Sequence, residues 1–125
     1  MKLHLVKFLP AIIWLLLSVW LFTLPGSEIP YQDWFDTFQV DKWVHICLFF
    51  ILCFLFMLPF KKQMITKKTY WFATIAFLGI VYGIGIEFIQ RDYIANRSFD
   101  IWDIVADIVG CSTAFALAKK KLVGI

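Results

Sequence analysis

Residues 43–60 read WVHICLFFILCFLFMLPF, eighteen positions without an acidic or basic residue other than His45. A helix of that length covers about 27 Å, close to the hydrocarbon thickness of a bilayer. Two further charge-free runs, residues 8–27 and 69–86, are twenty and eighteen positions long. A fourth, residues 98–118, is equally long and apolar in its second half, but carries Asp100, Asp103 and Asp107 in its first. A chain crossing lipid must satisfy its backbone polar groups within each segment, so all four runs are predicted to be helical. The expected spans are residues 8–25, 43–60, 69–88 and 99–118. Pro10 falls in the first turn of its helix, where a missing N–H costs nothing.

Composition agrees with this reading. Hydrophobic residues make up 62% of the 125 residues and charged ones 17%, against about 45–50% and 25% in soluble domains. So few charges cannot cover the surface of a small soluble domain. A soluble globular protein, a disordered chain and a nucleic-acid binder are therefore excluded. The expectation is an all-α integral membrane protein: one domain over residues 1–125, folded as a four-helix bundle and surrounded by membrane lipid.

The charges are segregated. Lys2 and Lys7, then Lys61, Lys62, Lys67 and Lys68, then Lys119 to Lys121 form three basic clusters, and Lys42, Arg91 and Arg97 sit among the acids. With four spans the three clusters share one side, which the positive-inside rule assigns to the cytoplasm. Both termini are then expected to be cytoplasmic, with residues 25–42 and 88–99 external. Trp20, Trp43, Tyr93 and Trp102 fall near the outer boundary, Tyr70 and Trp71 near the inner one, as an aromatic belt requires. The first run is longer than a signal-peptide core and is followed by no small-x-small site, so it reads as a retained helix. Within residues 25–42, Trp34, Phe35 and Phe38 have helical spacing beside Asp33 and Asp36, which suits either a short interfacial helix or an acidic loop. Cys47, Cys53 and Cys111 show no metal-ligand spacing and are expected to be buried apolar side chains.

Polar residues converge on the outer half. Asp107 stands twelve residues from Lys119, near mid-membrane, where a bare carboxylate costs about 2.5–3.5 kcal/mol. Such a residue faces a bundle interior or a wet cavity. Asp100, Asp103 and Asp107 share one helix face, continued by Gly110, Cys111 and Ala114. Gly79, Gly83 and Glu87 share another, extended by Gln90 and Arg91; Gly79-x-x-x-Gly83 is a close-packing motif in membranes. Asp41 and His45 lie one turn apart at the start of the second span. His45, Glu87, Gln90, Arg97, Asp103 and Asp107 are thus expected to line one outward-opening cavity, and Asp41, Lys42 and Asp100 are expected among its binding residues.

The stretch DKWVH followed by Phe49, then GIGIEFIQ, then NRSFDIWDIVADIVG resembles the VanZ-like family of small bacterial membrane proteins, whose named member is linked to teicoplanin resistance. The matching positions are Asp41, Lys42 and His45, then Glu87 and Gln90, then Arg97, Asp103, Asp107 and Gly110. Asp107 stands where the family pattern usually has Asn, and its later glycine is replaced around Ala114. The resemblance implies a multi-pass protein of the bacterial cytoplasmic membrane and a site for an envelope component.

Three functions remain open on the residues. One is an outward-facing site that binds or modifies a lipid-linked cell-wall intermediate or a glycopeptide, with His45, oriented by Asp41, and Glu87 as candidate acid–base groups. No ligand spacing is diagnostic of a metal, although His45, Glu87, Asp103 and Asp107 would suit a hard cation. The second is an ion or proton path through Asp107. The third is an ion-pair network that locks helices together or serves a partner protein. The cofactor, the oligomeric state and the existence of a catalysed reaction stay open.

The topology is testable directly. In intact cells an impermeant thiol reagent should fail to label a cysteine introduced at Lys62 or Lys67, and labelling from outside would invert the arrangement.

Overall fold

The structure, a computed structural model, describes residues 5–25, 27, 39–95 and 99–123. Four α-helices account for most of them: α1 (Leu9–Phe22), α2 (Val40–Met57), α3 (Ile65–Tyr93) and α4 (Ile101–Ala118). A 3-10 turn, Leu5–Phe8, leads into α1; another, Leu58–Phe60, carries Pro59 at the end of α2; a π turn, Lys119–Val123, ends α4. No strand occurs among the described residues. With their flanking turns, all four helices are long and apolar enough to cross a membrane. The all-α, four-span reading holds. The possible interfacial helix at Trp34, Phe35 and Phe38 lies outside the described residues.

Two boundaries differ from expectation. Helix α3 runs through 29 residues, from Ile65 to Tyr93, beyond the expected 69–88 at both ends. At 1.5 Å per residue it is about 44 Å long, more than the hydrocarbon needs, so its ends reach into the interfaces or the helix tilts. Lys67, Lys68, Arg91 and Asp92 mark the edge of the apolar zone and not the end of a helix, because charged residues propagate helix readily in water. Helix α1 ends at Phe22 rather than near 25, where Thr23 Oγ1 donates to the carbonyls of Val19 and Trp20.

Helix α4 is the centre of the bundle, packing chiefly against α2 and next against α3. Its buried face is small: Ala106, Gly110, Cys111, Ala114 and Ala118. At Gly110 the approach is at backbone level, since an added Cβ would stand 2.6 Å from the Ile46 carbonyl oxygen. Gly79 of α3 lies against the thiols of Cys53 and Cys111, and Gly83 lies against Asp107. The G-x-x-x-G motif thus seats α3 on α4. Cys53 and Cys111 are buried with their sulfurs 3.4 Å apart, whereas Cys47 is exposed on the lipid-facing surface, against the expectation that all three are buried. Its place on the outer side of α2 is the reason.

Helix α1 is peripheral, burying only Ala11, Ser18 and Phe22. Polar ties compensate: Trp14 Nε1–H donates to the Leu48 carbonyl at 3.0 Å, Ser18 and Tyr82 share a 2.8 Å hydroxyl contact, and the Gln90 amide donates to the Phe22 carbonyl at 3.0 Å. Outward surfaces carry Leu16, Trp20, Phe77, Leu78 and Val109, as lipid contact demands.

The two ends of the bundle differ. Lys7, Lys61 and Lys62 border one hollow at the first end, where Lys68 Nζ also donates to the Leu122 carbonyl. The opposite end holds the start of α2, the end of α3 and the start of α4, with Trp20, Trp43, Tyr93 and Trp102 exposed around it.

Two glycines on one helix provide a matched test. A Cβ at Gly83 would meet Asp107 Oδ2 at 2.5 Å and its Cβ at 3.0 Å, while Gly85 faces open space. Gly83→Ala should cost about 1–3 kcal/mol through overpacking. Gly85→Ala should be neutral or stabilise by up to about 1 kcal/mol. Denaturant titration in detergent micelles measures both, and equal effects would contradict the packing of α3 on α4.

Candidate polar site at one end of the bundle

The first residue of the site to be positioned is Lys42, in the opening turn of α2. Gln39 precedes the helix in a left-handed conformation (φ 53°) and its carbonyl accepts from the Lys42 and Trp43 N–H groups, starting the helix. The Lys42 ammonium lies 2.5 Å from Asp41, 2.7 Å from Asp100 and 2.8 Å from Asp103. Asp100 is also the N-cap of α4, its Oδ1 accepting from the Trp102 N–H at 2.9 Å. Partial burial acts to raise the Asp100 carboxyl, but the bonds from Lys42 and the Trp102 N–H outweigh it and hold the group below its ordinary range.

One turn deeper, His45 is buried among carboxylates. Its Nδ1 is 2.7 Å from Asp107 Oδ1, and its Nε2 is 3.6 Å from Asp103 Oδ2. The sequence suggested Asp41 as the carboxylate that orients His45, and the structure corrects this. The Asp41 side chain is 60% exposed and turned to Lys42, while the deeper Asp107, from another helix, holds the imidazole. The ring lies against Phe22, centroids 5.0 Å apart, and is parallel to Phe49 at 6.4 Å.

Glu87 comes from α3 and is fully buried. Its Oε2 accepts from the Asp100 N–H at 3.3 Å. Glu87 Oε1 and Asp107 Oδ2 are buried without a hydrogen-bond partner among the described residues. Asp103 Oδ1 lacks an aligned hydrogen bond as well, but its 2.8 Å approach to Lys42 satisfies it electrostatically.

The structure therefore brings together Asp41, Lys42, His45, Glu87, Asp100, Asp103 and Asp107 from three helices. Gln90 is buried near them, but its amide is engaged by the Phe22 carbonyl, so it ties α3 to α1. Arg97 lies outside the described residues. Arg91, on the extension of the Glu87 face, turns outward to pair with Asp92 and to lie over Phe88 at 4.9 Å. Sequence reasoning missed the Ser18–Tyr82 pair and the place of Phe22 on the imidazole. A lone hydroxyl in an apolar run was the only signal for the former, and Phe22 carried none.

Chemically, the arrangement offers an imidazole with one nitrogen anchored, two buried carboxylates with free oxygens, and an ammonium at the mouth. Those groups suit proton transfer or the binding of a cationic or polar group.

Residues 8–123 match the family model VanZ/LLP1. An uncharacterised protein of the fission yeast Schizosaccharomyces pombe is 32% identical over 106 residues, which cover 85% of this chain and 58% of that protein. The chain thus spans a little over half the length of this curated relative. No solved structure matches it.

The His45–Asp107 contact leads to a paired test. Asp107→Asn keeps an acceptor for the imidazole and should retain most of the stability. Asp107→Leu strands a buried nitrogen and should lose about 1–3 kcal/mol. Unfolding titrations of both variants in micelles check this, and equal losses would mean that the carboxylate charge, not its hydrogen bond, holds the site.

Proposed function

We propose that this chain, which belongs to the VanZ/LLP1 family, acts at the outer face of a bacterial cytoplasmic membrane, where its polar end takes a component of the cell envelope. In this reading the lysine-rich end and both termini are cytoplasmic, because short loops rich in Lys stay on that side. The single observation that carries it is the pair of buried carboxylates, Glu87 and Asp107, each with an oxygen left unpartnered among the described residues. A buried polar atom without a donor costs about 1–3 kcal/mol, which favours a polar group or ion brought to that place.

The family's link to teicoplanin resistance supports a lipid-linked cell-wall intermediate or the glycopeptide itself. If turnover occurs, His45 is the group for proton transfer, oriented by Asp107, with Glu87 as its counterpart.

A second reading has its own support. Lys42 bridges three carboxylates from two helices, which is what an ion-pair lock would do. An ion path is less well supported: toward the lysine end the buried cluster is apolar and includes Cys53, Met57, Phe60, Phe72, Ala76, Cys111, Ala114 and Ala118.

A susceptibility profile against glycopeptides and other envelope-targeting antibiotics separates these readings. His45→Ala and Glu87→Gln, at wild-type levels in the membrane, should behave like a deletion strain. Wild-type resistance in both variants would leave the ion-pair lock.

A further inference from the structure

Two groups of ligating side chains stand at the polar end of the bundle. In the first, Asp41, Asp100 and Asp103 surround Lys42, whose ammonium lies within 2.8 Å of an oxygen of each. That group already holds a cation. In the second, His45, Glu87 and Asp103 are all buried, with one ligand atom from each within 4.8 Å of the others.

The second group offers the donor set of a metal centre, one imidazole nitrogen and two carboxylates. When Asp107 is ionised its Oδ1, 2.7 Å from His45 Nδ1, accepts the N–H there, and a neutral imidazole then carries its lone pair on Nε2. Nε2 is 3.6 Å from Asp103 Oδ2, beyond good hydrogen-bond reach but close to the separation of two donor atoms sharing one ion. Asp103 Oδ1 is occupied by Lys42, which leaves Oδ2 for the interior. Glu87, fully buried, spends Oε2 on the Asp100 N–H and keeps Oε1 without a partner; no ion pair links it to a positive side chain among the described residues.

We propose that His45, Glu87 and Asp103 bind a divalent metal ion, with Asp107 as the carboxylate that orients the histidine ligand. Metal-bound histidines characteristically donate their other ring N–H to a carboxylate, and Asp107 stands 2.7 Å from His45 Nδ1 to accept it. One imidazole nitrogen with two carboxylate oxygens suits Zn2+ or Mn2+, since Cu+ prefers thiolates and Ca2+ an all-oxygen shell. Three protein ligands leave a coordination position for water or for an anionic head group of the envelope ligand. The inference rests on the site proposed above and names what makes it competent.

The test uses the full chain purified in detergent, stripped of metal, and titrated separately with Zn2+ and with Mn2+. Bound metal is measured by mass spectrometry and, for Mn2+, by the loss of the free-ion paramagnetic signal. The wild type should bind one of the two ions stoichiometrically. His45→Ala and Glu87→Gln should abolish that binding, and Asp107→Asn should weaken it by about 10–100-fold. Asp92→Asn, which removes an exposed partner of Arg91, should leave it unchanged. A wild-type chain that binds neither ion overturns the proposal whether or not any variant inserts, and so does binding that persists in Glu87→Gln. If that metal-free chain still loses its envelope phenotype in the His45 and Glu87 variants, the site survives and only the metal is wrong. If metal binds and both variants keep the phenotype, the metal survives and the envelope function is wrong.

Discussion

Neither His45 nor Asp107 can be left alone where it sits. Each is a polar group withdrawn from water in an apolar bundle, and each supplies what the other lacks across a 2.7 Å contact. That contact joins α2 to α4 and sets their relative register. Once Asp107 is fixed, α3 can come close only where it has no side chain, and Gly83 occupies that place. Once the imidazole is fixed, Phe22 of α1 and Phe49 of α2 close over it. All four helices therefore meet around one polar contact.

Small residues provide the rest of the bundle's cohesion. Apolar side chains gain little by leaving lipid for a bundle core, so helices in membranes associate through close van der Waals approach and hydrogen bonds. Gly110 against the α2 backbone, and Gly79 against Cys53 and Cys111, supply the first. The ties from Trp14, Ser18 and Gln90 supply the second, and they hold α1, which has the least buried surface of the four.

The polar end is layered by depth. At the mouth, Lys42 neutralises carboxylates that would otherwise repel one another and hold α2 away from α4. One turn further in, Glu87 and Asp107 each keep an oxygen without a hydrogen-bond partner among the described residues, beyond the reach of the lysine. The network is thus closed by ion pairs at its surface and keeps unused hydrogen-bonding capacity at its base.

Much of this was legible without coordinates. Three charge-free runs of span length, and a fourth that carries three aspartates, announced four helices, because the bilayer admits little else. The spacing of Asp100, Asp103 and Asp107, and of Gly79, Gly83 and Glu87, marked the inward faces, since helical periodicity places such residues together. What the sequence could not settle was which partner each polar group would choose. Asp41 is the nearest carboxylate to His45 along the chain, yet Asp107, 62 residues away, takes the imidazole. Gln90 lies one turn from Glu87, yet bonds to a carbonyl of α1. Local spacing fixes the face of one helix, whereas the pairing of buried groups depends on depth and on the rotation of helices about one another. Only tertiary packing determines those, because the cost of an unpartnered charge is decided by every element around it.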